Sequence, residues 1–217
     1  MTLSSLFYTF WHSLYRIFLT ILNIRSYLFH PTLLFLELAY FCEELLSFFI
    51  FNPLRSKKIS LPTYGTLPFF SMNKISPLLD ISKDSTLLDL GSGKGKILLY
   101  YSLCYKCRCI GIESFSYFYR LSNMLSRLLF QHSRITWLNQ DFFSYTPSST
   151  CDIAFVSALD HTEHALRTLI HHYHDHVSTF VSLGAPLPSL DHFSVVSYKL
   201  PCSWGFSWIY IYHKKYV

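Results

Sequence analysis

The sequence predicts an α/β domain: a doubly wound, mostly parallel sheet closing on an antiparallel terminal hairpin, preceded by hydrophobic N-terminal helices. Three observations predict it. From Thr86 onward, short β-rich runs alternate with stretches of helical periodicity. The first such run empties into a glycine-rich loop, and the last two flank the turn sequence PCSWG.

In chain order, the N-terminal region comes first. Residues 3–24 and 31–51 are two apolar runs, each long enough to cross a bilayer as a helix. Arg16 interrupts the first, and Glu37, Glu43 and Glu44 interrupt the second. A charge near the middle of a span costs roughly 2.5–3.5 kcal/mol on insertion scales. The two runs are therefore expected as an antiparallel hairpin turning near Tyr27, with Arg16 at the level of Glu37. Helices lying in the membrane interface, or packed on the main domain, remain the alternative. The runs lack the short apolar core and small-residue cleavage site of a secretory signal. Asn52-Pro53 ends the segment and LRSKK follows, basic residues that belong on the cytoplasmic side. The expected organisation is a membrane-associated helical segment over 1–52, a basic linker over 53–63 and a cytoplasm-facing globular domain over 64–217.

The globular domain opens with STLLDL, a buried strand, and KILLYYSLC, a helix leaving the glycine loop. CRCIGIE reads as the second strand, ending at Glu113. The helix after it carries Phe118, Leu121, Leu125 and Leu128 on one stripe. ITWLNQD, ending at Asp141, and CDIAFVSAL are the third and fourth strands. Asp160 and Glu163 have capping-box spacing, so a helix is expected to begin there. VSTFVSLG is the fifth strand; FSVVSYKL and FSWIYIYHK form the hairpin. Such a Rossmann-like sheet places its ligand at the carboxyl ends of the strands.

Composition narrows the class. The 217 residues are 51% hydrophobic and 18% aromatic but only 14% charged, which gives a large core with apolar surface left over. A net charge of +5 is too diffuse for a nucleic-acid footprint and compatible with an anionic membrane surface. Cys104, Cys107 and Cys109 crowd together, but no second ligand pair stands at a structural zinc spacing. His172 and His176 have helical spacing without the metalloprotease glutamate, so no metal site is assigned.

The glycine loop decides the ligand. An ATP loop needs a glycine five residues before Gly95 and a hydroxyl residue after Lys96; Leu90 and Ile97 stand there. A dinucleotide loop spaces its third glycine three after the second, whereas Gly91, Gly93 and Gly95 alternate. Tyr210 and Lys214 have hydride-transfer spacing but fall on the terminal strand. What remains is an acid followed by three alternating glycines, suited to a charged ligand without phosphates. Asp89 is placed to act on an ammonium, Glu113 on two ribose hydroxyls, Asp141 on an adenine amino group, and Phe142 on the adenine ring.

This set resembles the class I, seven-stranded S-adenosylmethionine-dependent methyltransferases over roughly residues 64 to 214. With the apolar leader and YGTLPFFSMNKI, the chain looks similar to small membrane-anchored methyltransferases that modify protein lysines. In that family a turn before the first helix closes over the cofactor, which implies a role for Tyr64, although Leu67 separates Thr66 from Pro68. The resemblance implies S-adenosylmethionine as cofactor, a protein lysine as acceptor and membrane lipid as partner of the N-terminal segment. The sequence SALDH stands where nucleobase amine methyltransferases often carry Asn-Pro-Pro-Tyr, which disfavours nucleic acid. Asp160 and His161 are the candidates for orienting or deprotonating the acceptor, Asp160 having the competing role of a helix cap. A lipid or quinone-like acceptor, and a non-catalytic binding protein, remain open.

Overall fold

The computed structural model describes residues 3–51, 65–159, 161–188 and 190–215. Its contacts divide the chain into two compact units, Met1–Gly65 and Thr66–Val217. The basic linker expected over 53–63 lies outside the described residues.

The first unit is a helical pair, α1 (Leu3–Phe29) and α2 (Pro31–Phe51). Proline at the first position of α2 has no N–H to leave unsatisfied there, so the helix restarts directly after His30. The turn thus falls at residue 30, three residues beyond the expected position, and this moves the charge pairing. Arg16 bonds Glu44 at 2.8 Å rather than Glu37, with its guanidinium also over the Phe41 ring. Among the described residues, no helix is long and apolar enough to cross a membrane. The expected spans are corrected accordingly, because Arg16 and Arg25 in α1 and three glutamates in α2 interrupt both runs.

The second unit is a seven-stranded sheet in the order β3-β2-β1-β4-β5-β7-β6. Its strands are β1 (Thr86–Leu90), β2 (Arg108–Ile112), β3 (Ile135–Leu138), β4 (Cys151–Ser157), β5 (Val177–Leu183), β6 (Phe193–Cys202) and β7 (Gly205–Lys214). Its helices are α3 (Phe69–Ile75), α4 (Lys96–Tyr105), α5 (Ser116–Leu128) and α6 (Glu163–Tyr173). Strands β1 to β5 pair in parallel, and β7 inserts antiparallel between β5 and β6. The predicted fold class is borne out in this unit.

The sheet is buried on both faces because its inner strands are apolar at successive positions. Leu88, Leu90, Ala154, Val156 and Phe180 pack with Leu166, Leu169 and Tyr173 of α6. On the other face the strands approach α4 through Gly111, where an added Cβ would lie 2.4 Å from the Trp137 ring and 3.0 Å from Leu98. Near the start of the unit, Ser71 of α3 donates to the Pro201 carbonyl at 2.6 Å, and the Thr66 N–H donates to Ser203 at 2.8 Å. These bonds strap α3 to the tip of the β6–β7 hairpin.

Two boundaries differ from expectation. Helix α6 begins at Glu163, capped by Thr162, whose hydroxyl accepts from the Ala165 N–H at 3.2 Å. The capping box therefore does not start at Asp160; a threonine two residues later satisfies the helix N–H. Strand β3 stops at Leu138, so Asp141 lies beyond its end and caps the 3-10 turn Phe142–Ser144.

Candidate functional site

The carboxyl ends of β1, β2 and β3 lie side by side, and Asp89, the glycine loop and Glu113 stand there, with Asp141 and Phe142 following β3. The loop after β1 turns through three glycines of positive φ: Gly91 at 82°, Gly93 at 53° and Gly95 at 81°. Gly95 needs its missing side chain twice over. Besides its left-handed backbone, a Cβ would sit 2.5 Å from the Trp137 ring and 2.8 Å from Ser122.

Neighbouring strand ends hold the loop in shape. The Gly91 and Ser92 N–H groups donate to the Ile112 carbonyl at 3.0 and 2.9 Å. Gly93 donates to Glu113 Oε2 at 2.8 Å, and Phe115 donates to Glu113 Oε1 at 2.7 Å. Glu113 is thus a cross-brace between loop and β2 as well as the acid assigned to the ribose hydroxyls. Each carboxylate oxygen retains a second lone pair for a ligand. Asp141 is exposed and accepts from the Phe143 N–H at 3.0 Å through Oδ1.

Asp89 carries the strongest electrostatic perturbation in the site. It is buried, and its carboxyl is pushed up to about 8, first by desolvation and then by the charge of Glu113. Two acids held this close in a dry site cost free energy unless a cation offsets them. The loop lysines, in contrast, engage aromatic rings: Lys96 sits 4.5 Å over Phe69 and Lys94 5.9 Å over Phe118.

The acceptor side is partly described. The half-buried His161 meets Phe142 edge-on at 5.6 Å, so the acceptor candidate and the adenine-side ring are brought together. Asp160 and Tyr64 lie outside the described residues. Tyr210 and Lys214 are excluded as a catalytic pair. The Lys214 ammonium donates to the His174 carbonyl at 3.1 Å, at the amino end of the parallel strands, away from the glycine loop.

Several residues act here that the sequence reading did not single out. The Ser92 hydroxyl is buried with no hydrogen-bond partner among the described residues. Asn139 donates to the carbonyls of Glu113 at 2.8 Å and Ser114 at 3.1 Å, pinning the loop after β2. The Tyr173 hydroxyl of α6 donates to the Phe142 carbonyl at 2.5 Å and so sets the position of that ring. A polar residue just past a strand end was the available signal for Asn139. Nothing local marked Tyr173.

These features fit S-adenosylmethionine. The space in front of Gly91 is open, with no described residue within 4 Å of where a Cβ would stand, so a ligand can reach the loop backbone. Ser92 offers an orphaned buried hydroxyl, and the Asp89–Glu113 pair calls for a positively charged partner without phosphates.

Comparison with known proteins agrees. The family described as histone methylation protein DOT1 matches residues 53–158, just under half of the chain and the stretch holding the glycine loop, Glu113 and Asp141. The chain has the fold of the class I S-adenosylmethionine-dependent methyltransferases. An RNA methyltransferase from Salinibacter ruber, solved with S-adenosyl-L-homocysteine, superimposes at TM-score 0.56 and 18% identity, over 72% of this chain and 95% of that one. An rRNA methylase from Streptococcus thermophilus gives 0.56 at 10% identity, covering 72% and 100%. A human methyltransferase 10 domain containing protein gives 0.55 at 8% identity, covering 71% and 88%. At such identities these structures speak for the fold alone. No curated protein matches the sequence.

When bound, S-adenosylmethionine supplies an electrophilic methyl group on a sulfonium sulfur. The residues that would hold it are those expected from the sequence: the glycine-loop backbone, with Asp89 for its ammonium and Glu113 and Asp141 for ribose and adenine.

Proposed function

We propose that the chain is an S-adenosylmethionine-dependent methyltransferase that methylates a lysine side chain of a protein at or near a membrane surface. The match of residues 53–158 to a family described as a histone methylation protein carries this reading, since a histone is a protein acceptor. Two features support it. The loop after β4 reads SALDH rather than Asn-Pro-Pro-Tyr, and exposed aromatic residues Phe206 and Trp208 lie beyond the carboxyl end of β5, where Gly184 donates to the Trp208 carbonyl at 2.9 Å. Large flat side chains there offer a surface for the apolar stem of a lysine and its flanking residues.

In this reading, His161 and Asp160 orient the acceptor amine and accept its proton. Transfer is an in-line displacement, so alignment in a dry site supplies much of the rate. The helical pair supports placement at a membrane surface rather than across it. Ile17, Ile21, Leu28, Leu38 and Leu46 are exposed apolar residues on α1 and α2.

The test is methyl transfer from radiolabelled S-adenosylmethionine by the full-length protein to three pools: detergent-extracted membrane proteins, extracted lipid, and RNA. Label in protein that survives nuclease and lipid extraction, and maps to lysine by mass spectrometry, is the expected result. Label confined to lipid or RNA replaces the acceptor. No label with intact cofactor binding points to the non-catalytic reading.

A further inference from the structure

We propose that the outer edge of β6 is a self-association surface on which two copies of the methyltransferase pair antiparallel, centred on Ser197, to make one continuous sheet. The inference goes beyond the methyl-transfer reading and does not depend on it.

Strand β6 is the outermost strand of the sheet and ten residues long. Its register with β7 places Cys202 opposite Gly205 across a two-residue turn, and the same register runs back to Phe193 opposite Lys214. The Lys215 N–H donates to the His192 carbonyl at 2.8 Å, so even-numbered residues of β6 direct their backbone groups toward β7. Odd-numbered residues therefore direct theirs outward. Two facts agree: Pro201 has no N–H to offer β7, and its carbonyl is taken from outside by Ser71 at 2.6 Å.

Beyond Pro201, the outward N–H and C=O groups of Val195, Ser197 and Lys199 meet no described residue. Long edges are usually blunted by charge, bulges or cover. This edge has one lysine, and its side chains Val195, Val196 and Tyr198 are exposed by 53, 42 and 39%.

The occupant is argued from self-complementarity. In an antiparallel pairing centred on Ser197, that residue faces its own copy and Val195 faces Lys199 of the other copy. Val196 then faces Tyr198 twice over. An aromatic beside a β-branched residue is among the favourable cross-strand pairs, and no like charges stand opposite one another. The two lysines are separated by four residues along the ribbon, roughly 13 Å, beyond the screening length at ordinary salt. Sliding the register to centre on Lys199 would set two ammonium groups face to face. A two-fold axis through Ser197 is therefore an arrangement in which the exposed valine and tyrosine side chains pair and no like charges meet.

The experiment uses the full-length protein with Cys42, the exposed cysteine, changed to serine. In a hydrogen-bonded antiparallel pair the Cα atoms lie about 5.5 Å apart, within disulfide reach. Mild oxidation of Ser197→Cys is expected to give a Cys-to-Cys cross-linked dimer, identified by mass spectrometry. Ser194→Cys on the same strand, displaced from the axis, is expected to stay largely unlinked. By sedimentation, Ser197→Pro removes only an outward N–H and is expected to raise the dimer dissociation constant by about tenfold or more, with cofactor binding retained as the check of folding. Equal cross-linking of the two cysteine variants, a dimer indifferent to Ser197→Pro, or a wild-type protein monomeric throughout would each overturn the proposal. So would amide protection of Val195, Ser197 and Lys199 arising only when an acceptor protein is added, which would give the edge to that partner.

Discussion

The two halves of the sheet are built for different purposes. At β1 and β2 an acid stands at or just past the strand end, with Asp141 three residues beyond β3, and the loops are braced by bonds from one strand end to the next: Gly91 and Ser92 to Ile112, Gly93 to Glu113, and Asn139 back to Glu113. At β5, β7 and β6 the hairpin carries exposed Val195, Tyr198, Phe206 and Trp208, and among the described residues its outer edge is braced only near its tip, by Ser71 to Pro201 and Thr66 to Ser203. The first half has its shape before any ligand arrives, so binding there loses little ordering entropy. The second presents side chains on a scaffold, the arrangement that adapts to a macromolecular acceptor or a second copy.

Glycine substitutions probe that contrast with the largest expected effect. Gly95→Ala forces a left-handed residue and a Cβ into the Trp137 ring, and is expected to destabilise the fold by about 3 kcal/mol. Gly205, with φ at 125° but open space before it, is expected to cost about 1 kcal/mol as alanine. Denaturant unfolding of both variants gives the comparison; equal losses would remove the distinction between a braced and an open half.

The next effect is electrostatic. The Asp89 carboxyl, normally at 3.8, rises to about 8 in the fold, so the folded state holds its proton more tightly than the unfolded chain does. The contribution of Asp89 to the stability of the unliganded protein is therefore fully present below about pH 4, falls as pH rises, and levels off above about pH 8. Affinity for the cationic cofactor is expected to run the other way, strengthening toward pH 8 as Asp89 ionises. Asp89→Asn flattens both profiles. Unfolding and calorimetric titration from pH 4 to 9 read them, and a variant that keeps the wild-type slopes would assign them to other groups.

Glu113→Gln keeps the side-chain shape but leaves one of the Gly93 and Phe115 N–H groups facing an amide N–H. Cofactor affinity is expected to weaken by about tenfold, with smaller loss of stability. The smallest effect belongs to the open half. Trp208→Ala is expected to leave cofactor binding within about twofold while raising the acceptor KM by about fivefold. A matching loss of cofactor affinity would show that the two halves are coupled rather than separable.

Much of the cofactor half was legible in the sequence because its chemistry is local. The acid-plus-glycines pattern, the apolar strand TLLDL and the acid after CRCIGI each lie within a few residues, and the structure sets Asp89, the loop and Glu113 together. The helical pair was legible as helix but not as pairing. A three-residue shift of the turn, imposed by Pro31, replaced Glu37 with Glu44 as the partner of Arg16.

By itself, then, the sequence determined the periodicities, and with them the strands, the helices, the glycine turn and the acids at strand ends. These follow from backbone sterics and side-chain polarity within short windows. The tertiary structure alone decided that β7 slips between β5 and β6, that Trp137 closes the space behind Gly95 and Gly111, and that Tyr173 reaches from α6 to hold Phe142. Each of these joins residues far apart in the chain through close packing or a single buried hydrogen bond, and no short window of sequence contains both partners.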